Sequence, residues 1–186
     1  RGAHANDRIG LTSSSYSAVV ALSNGNYVVR SPEWDNGAVV DAGAVTWGNG
    51  TTGVSGVVSS ADSLVGSSGY GMVGSGGTNR SSGVSALSNG NYVVSSPNWN
   101  NGAVIDAGAV TWGSGTTGIV GVVSSANSLI GSSANDYVGS GLVTVLSNGN
   151  YVVRSLDWDN GAVVDAGAVT WGSGATGVSG VVSSAN

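Results

Sequence analysis

The chain predicts an all-β fold built from three tandem antiparallel units, and three observations predict it. A frame of 41 residues occurs three times without a gap, at 22–62, 87–127 and 146–186, with 31 positions identical in every copy. Its apolar runs are rich in Val and show no helical period, which favours strands. Turn signals recur inside each copy: Asn-Gly twice, Asp-Ala-Gly once and Gly-x-Gly-x-Thr-Gly once. Whatever one copy does the chain does three times, so a repeated scaffold or multivalent binder is expected rather than a lone catalytic centre.

The frame opens L-S-N-G-N-Y-V-V. In the third copy, L-V-T-V-L at 142–146 and N-Y-V-V-R-S at 150–155 flank Asn148-Gly149, a strong hairpin signal. The same hairpin is predicted around Asn24-Gly25 and Asn89-Gly90. A second turn follows at W-x-N-G, at 34–37, 99–102 and 158–161. The run A-V-x-D-A-G-A-V-T-W-G then places Val45 and Trp47 on one strand face and Ala44 and Thr46 on the other. Gly in the Asp41-Ala42-Gly43 step predicts a break or bulge. The next Gly-rich stretch turns the chain into x-x-G-V-V-S-S. It lacks the Lys and the following helix of a phosphate loop.

Each unit therefore holds roughly four short antiparallel strands, the content of a β-propeller-type blade; a closed threefold β-prism or trefoil-like domain is the alternative. The linkers, 63–86 and 128–145, carry S-L-V-G-S-S and S-L-I-G-S-S, each a further short edge strand. The whole chain reads as one repeat domain of units 1–62, 63–127 and 128–186. Ala5-Asn6-Asp7-Arg8-Ile9-Gly10 matches Ala134-Asn135-Asp136-Tyr137-Val138-Gly139, so Arg1 aligns with Ile130 while Asn186 aligns with Asn127. The two ends share a phase. That predicts either ring closure, with the N-terminal strand completing the third unit, or head-to-tail continuation, including dimers or open-ended growth.

Composition excludes several classes. Charged residues are 8% of the chain and hydrophobic residues 40%, the reverse of a disordered segment. With no Cys there is no disulfide, thiol nucleophile or Cys-ligated zinc. A net charge of −5 argues against nucleic acid, and no apolar run approaches a membrane span. Low charge with abundant Gly, Ser, Asn and Thr is the look of an extracellular bacterial surface protein.

The frame L-S-N-G-N-Y-V-V…W-x-N-G…A-G-A-V-T-W-G resembles tandem repeats of very large bacterial surface proteins of the filamentous-haemagglutinin type, over essentially the whole chain. The resemblance implies a secreted or cell-surface, multivalent adhesion or scaffold role and carries no residue-level site.

Among candidate residues, Trp47, Trp112 and Trp171 sit inside the A-V-T-W-G strand and are expected in the core or between repeats. Trp34, Trp99 and Trp158 each precede Asn-Gly and have polar neighbours. A flat ring beside carboxylate or amide groups suits a sugar, which stacks on the ring and hydrogen-bonds the acceptors. The candidate ligand-binding set is therefore Trp34, Asp35 and Asn36, Trp99, Asn100 and Asn101, Trp158, Asp159 and Asn160. Packing of these rings on the blade edge or on a neighbouring repeat is the competing reading.

Asp41, Asp106 and Asp165 are expected to accept backbone N–H groups in a turn. No calcium-loop pattern accompanies them, and no metal or other cofactor is predicted. His4 is the only His, in a segment expected to fray, and no Lys is present, so neither a Ser–His nor a Ser–Lys pair can be built from the repeats. Arg8 and Arg80 lie between frames and are expected to be solvated. The reading is a non-enzymatic module. It is either a multivalent adhesion module with a shallow, lectin-like carbohydrate site per repeat, or a structural spacer or self-assembling filament subunit. Its partners would be a glycan or other surface ligand and further copies of itself.

Overall fold

A computed structural model describes residues 1–11, 17–77 and 82–186. Among them there is no helix, and the strands form three sheets. The first meander is β1 (Val19–Ala21), β2 (Tyr27–Ser31), β3 (Ala44–Gly48) and β4 (Ser63–Val65). The second copy gives β5 (Val84–Ala86), β6 (Tyr92–Ser96), β7 (Ala109–Gly113), β8 (Gly121–Val122) and β9 (Ser128–Ile130). The third gives β10 (Thr144–Val145), β11 (Tyr151–Ser155), β12 (Ala168–Gly172) and β13 (Gly180–Val181). The chain is all-β, in three tandem blade-like units. Arg80 lies outside the described residues.

The Asn-Gly hairpins form as predicted. Gly25 at φ 87° lets its N–H donate to Leu22 O while the Leu22 N–H bonds Asn26 O, which joins β1 to β2. Strands β2 and β3 then pair from Tyr27↔Gly48 to Ser31↔Ala44. The Asp-Ala-Gly step breaks the chain before β3. Asp41, Asp106 and Asp165 all sit in the left-handed region, at φ 49°, 53° and 52°.

The two faces of each sheet have different partners. Val28, Arg30, Val45 and Trp47 share one face, which packs on the following repeat; Tyr27, Val29, Ser31 and Ala44 share the other. The core therefore lies between repeats. One apolar cluster joins Val28, Val45 and Leu64 of the first repeat to Tyr92, Val94 and Trp99 of the second. The next joins Val93, Val110 and Leu129 to Tyr151 and Val153.

Backbone pairing crosses the same boundaries. β8 leaves its own repeat and adds to the edge of β4 in parallel, with Leu64↔Gly121 and Val65↔Val122. β13 does the same to β9. One expectation is corrected here. The fourth antiparallel strand of the first two sheets is the linker segment S-L-[VI], and G-V of the second and third copies becomes a parallel fifth strand on the preceding sheet. Ser63–Val65 thus completes the first sheet and Ser128–Ile130 the second.

The N-terminal segment is pinned, not frayed. The Val58 N–H donates to Arg1 O at 3.1 Å, as Val123 does to Val65 O at 3.1 Å and Val182 to Ile130 O at 3.0 Å. Residues 1–11 thus occupy on the first repeat the place that 65–75 occupy on the second. They do not complete the third unit, and ring closure is not what the chain adopts: the β12 face stays open, with Val169 70% exposed where Val45 and Val110 are fully buried. Arg8, expected to be solvated, pairs with Glu33 at 2.5 Å.

Candidate functional site

The most heavily repeated chemistry sits at the junction between repeats. Asn24 Nδ2 (2.7 Å), Asn26 Nδ2 (2.8 Å) and Trp47 Nε1 (3.0 Å) all donate to one acceptor, the Gly115 carbonyl of the next repeat. The following junction repeats the set, with Asn89 and Asn91 at 2.8 Å and Trp112 at 3.0 Å from Gly174 O. The acceptor is held in place from its own side: the Gly115 N–H donates to Asn91 Oδ1 and the Gly174 N–H to Asn150 Oδ1, each at 2.9 Å. Glycine is required where the indole lands. A Cβ on Gly118 would lie 2.8 Å from Trp47 Cβ, and one on Gly177 2.5 Å from Trp112 Cβ.

The linker is the second part of the junction. Met72 and Val73 N–H groups donate to Asp41 and Ala42 O, and Tyr137 and Val138 repeat this on Asp106 and Ala107. The linker then reaches forward, where the Gly74 and Gly139 N–H groups meet Ser96 Oγ and Ser155 Oγ of the next repeat. Asp136 closes its own turn by accepting from Ser132 and Ser133 N–H, and its other oxygen accepts from Asp159 N–H across the junction at 3.0 Å. Asp7 makes the matching bridge to Asp35 N–H.

The predicted ligand residues are consumed by this architecture. Trp34 and Trp99 are only 4% exposed and Trp158 is half-buried; each packs toward the repeat or segment before it. No open ring face is left on Trp34 or Trp99 for a sugar to stack on. Their burial follows from the turn, which is closed by Gly43 N–H on Trp34 O and Gly108 N–H on Trp99 O. Asp35 Oδ1, Asn100 Oδ1 and Asp159 Oδ1 each accept the backbone N–H six residues on, from Asp41 (2.8 Å), Asp106 (2.8 Å) and Asp165 (2.9 Å). The invariant aspartates are therefore backbone donors here. Of their carboxylates, Asp106 takes hydrogen bonds from Asn98 Nδ2 and the Tyr137 hydroxyl. Asn36 and Asn101 donate to the linker carbonyls of Gly66 and Gly131. The counterpart Asn160 Nδ2 has no partner among the described residues.

Two polar hollows flank these turns. One of about 430 Å³ is lined by Asn6, Arg8, Glu33, Asp35, Val40 and Asp41. Another of about 200 Å³ is lined by Asn98, Tyr137, Ser140 and Asp157 among others. In the first, partial burial raises the Asp41 carboxyl above the ordinary carboxylate range, and the charges of Asp35 and Glu33 add to it against Arg8. Elsewhere burial pushes the Tyr151 hydroxyl up to about 12. Arg30 is fully buried with no carboxylate partner among the described residues, its guanidinium donating to the carbonyls of Gly74, Ser75 and Ser17. Among the described residues no cluster of His, Asp or Glu is arranged to hold a metal ion.

Sequence reasoning missed the Asn pair of the hairpin as a joining device. The signal was present: the turn itself needs only one Asn-Gly step, yet Asn24 and Asn26 both recur in every copy.

A family profile described as a repeat of unknown function (DUF5650) matches residues 21–75, 86–140 and 145–186. The chain belongs to this tandem-repeat family. The first two matches end at Ser75 and Ser140, so the family unit takes in the first part of each linker, the part that carries the hydrogen bonds described above. No curated protein and no solved structure matches the chain.

Proposed function

We propose that the chain is a non-catalytic structural module, a spacer whose stacked frames supply reach and stiffness to a secreted or cell-surface protein. One observation carries this reading: the side chains that a binding site would use are spent on packing, on closing the frame's own turn and on holding its linker. Trp34 and Trp99 are buried, Asp35 and Asn100 close turns, and Asn36 and Asn101 hold linker carbonyls. The resemblance to filamentous-haemagglutinin-type repeats and the low charge support an extracellular, adhesion-associated setting. Pulling a single molecule by its ends tests the spacer role. Resistance comparable to other stacked β repeats is expected, and extension at negligible force would overturn the reading.

A second reading, multivalent binding of a glycan or similar polar ligand, is favoured by the two hollows beside Asp41 and Asp157. A glycan array probed with bead-displayed chain separates the two. No saturable retention is expected for the spacer. Retention abolished by Glu33→Gln with Asp157→Asn would establish the second reading. Replacing Trp34, Trp99 and Trp158 together by Ala cannot serve as the test, because a buried Trp→Ala change costs about 3–5 kcal/mol and would unfold the chain.

A further inference from the structure

We propose that a second copy of this chain docks head to tail on the outward face of the third repeat; the inference rests on the structural reading above. The chain shows twice what covers such a face, at its two internal junctions, and the third repeat carries every donor of that contact unpaired. Asn148 Nδ2, Asn150 Nδ2 and Trp171 Nε1 occupy the positions that converge on Gly115 O and Gly174 O, and none has a partner among the described residues. Trp171 is 55% exposed. Beside it, a cleft of about 290 Å³ is lined by Arg154, Ser155, Leu156 and residues 166–169. In the first two repeats the linker fills this space: a Cβ on Gly43 would lie 2.1 Å from Val73 N and one on Gly108 2.2 Å from Val138 N. At Gly167 the nearest such atom is Leu156 O of its own repeat, at 3.3 Å.

The first repeat presents the complement, already assembled. Gly118 and Gly90 abut Trp47 and Asn24, whereas a Cβ on their first-repeat counterparts, Gly53 and Gly25, would meet nothing within 4 Å. The Gly50 carbonyl corresponds to Gly115 O and Gly174 O. Residues 1–11 lie on the first repeat as 65–75 lie on the second, with the Gly10 N–H on Ser31 Oγ at 3.2 Å, as Gly74 is on Ser96. Docking therefore places Ile9 of one copy over Val169 of the other, as Val73 lies with Val45 in one cluster. It sets Asn160 against Gly2 O, as Asn36 sits on Gly66 O, and the Trp171 indole on Gly50 O.

Sedimentation and light scattering over a wide concentration range test the proposal with four samples. Wild type is expected to climb from 18.0 kDa through successive multiples without a ceiling. Val169→Arg blocks the third-repeat face. Val54→Arg blocks the first-repeat face, because its counterparts Ile119 and Val178 pack on the two inter-repeat clusters. Both positions are exposed in the chain, so both variants are expected to keep the wild-type circular dichroism and unfolding transition. Each alone is expected to be monomeric. Mixed, they are expected to form a one-to-one dimer and stop, since one supplies the free first-repeat face and the other the free third-repeat face. Wild type that stays monomeric throughout, variants that still polymerise, or a mixture that stays monomeric would overturn the proposal. The pulling experiment reads the spacer role in a single molecule and so fails or succeeds independently.

Discussion

Asp41 adopts φ 49° in the turn before β3, and Asp35 Oδ1 accepts its N–H at 2.8 Å. In the second repeat Asn100 does the same work with an amide oxygen at 2.8 Å. In the sequence alone, the swap of acid for amide between copies reads as a variable ligand shell. It is instead a constant requirement for one acceptor, which either side chain meets. Asp35→Asn should leave stability nearly unchanged, whereas Asp35→Ala orphans the Asp41 N–H and should cost about 1 kcal/mol. The two substitutions also separate charge from hydrogen bonding. Asp35 is one of the charges that raise the Asp41 carboxyl, so Asp35→Asn should move it down toward the ordinary range. Carboxyl-detected NMR titration reads this directly, and an Asp41 unmoved by the change would show that the Asp35 charge does not contribute to it.

At the scale of strands and linkers, what was legible and what was not divide by the range of the contact. The hairpin at Asn24-Gly25, the break at Asp41-Ala42-Gly43 and the alternation of Val45 and Trp47 with Ala44 and Thr46 are local, and all three form as the sequence predicts. Register along a strand follows from period-2 patterning. Which sheet a short strand joins does not, because Gly121–Val122 and Ser63–Val65 are two- and three-residue pieces whose partners lie in different repeats. The burial of Trp34 and Trp99 was hidden for the same reason: polar neighbours in sequence say nothing about which repeat covers the ring. A pair of glycines measures the energy of that covering. Gly118→Ala and Gly53→Ala both place a side chain at positive φ, 76° and 74°, but only the first drives a methyl into Trp47. Both should lose about 1–2 kcal/mol from backbone strain. Gly118→Ala should lose a further 1–3 kcal/mol, roughly, from overpacking. Equal losses in urea denaturation would mean that the junction yields without cost.

For the molecule as a whole, burial of the core between repeats rather than within them makes stability a sum of junctions. The second sheet is covered on both faces: Tyr92 and Val94 belong to the cluster shared with the first repeat, and Val93 and Val110 to the one shared with the third. The first sheet has a junction on one face and residues 1–11 on the other, where Ile9 packs with Trp34 and Val58. The third sheet has three strands rather than five and a single covered face. Amides open with free energies that follow local burial, from near zero up to the global value. Native-state hydrogen exchange should therefore rank protection highest in β6 and β7, lower in β2 and β3, and lowest in β11 and β12. The ranking carries its own control, because head-to-tail docking covers the β12 face. Raising the concentration should increase protection in β11 and β12 while leaving β6 and β7 unchanged, and in Val169→Arg that increase should vanish. Uniform protection across the three sheets at low concentration would instead mean that the repeats unfold as one block, with coupling at each junction strong enough to carry a sheet that has only one neighbour.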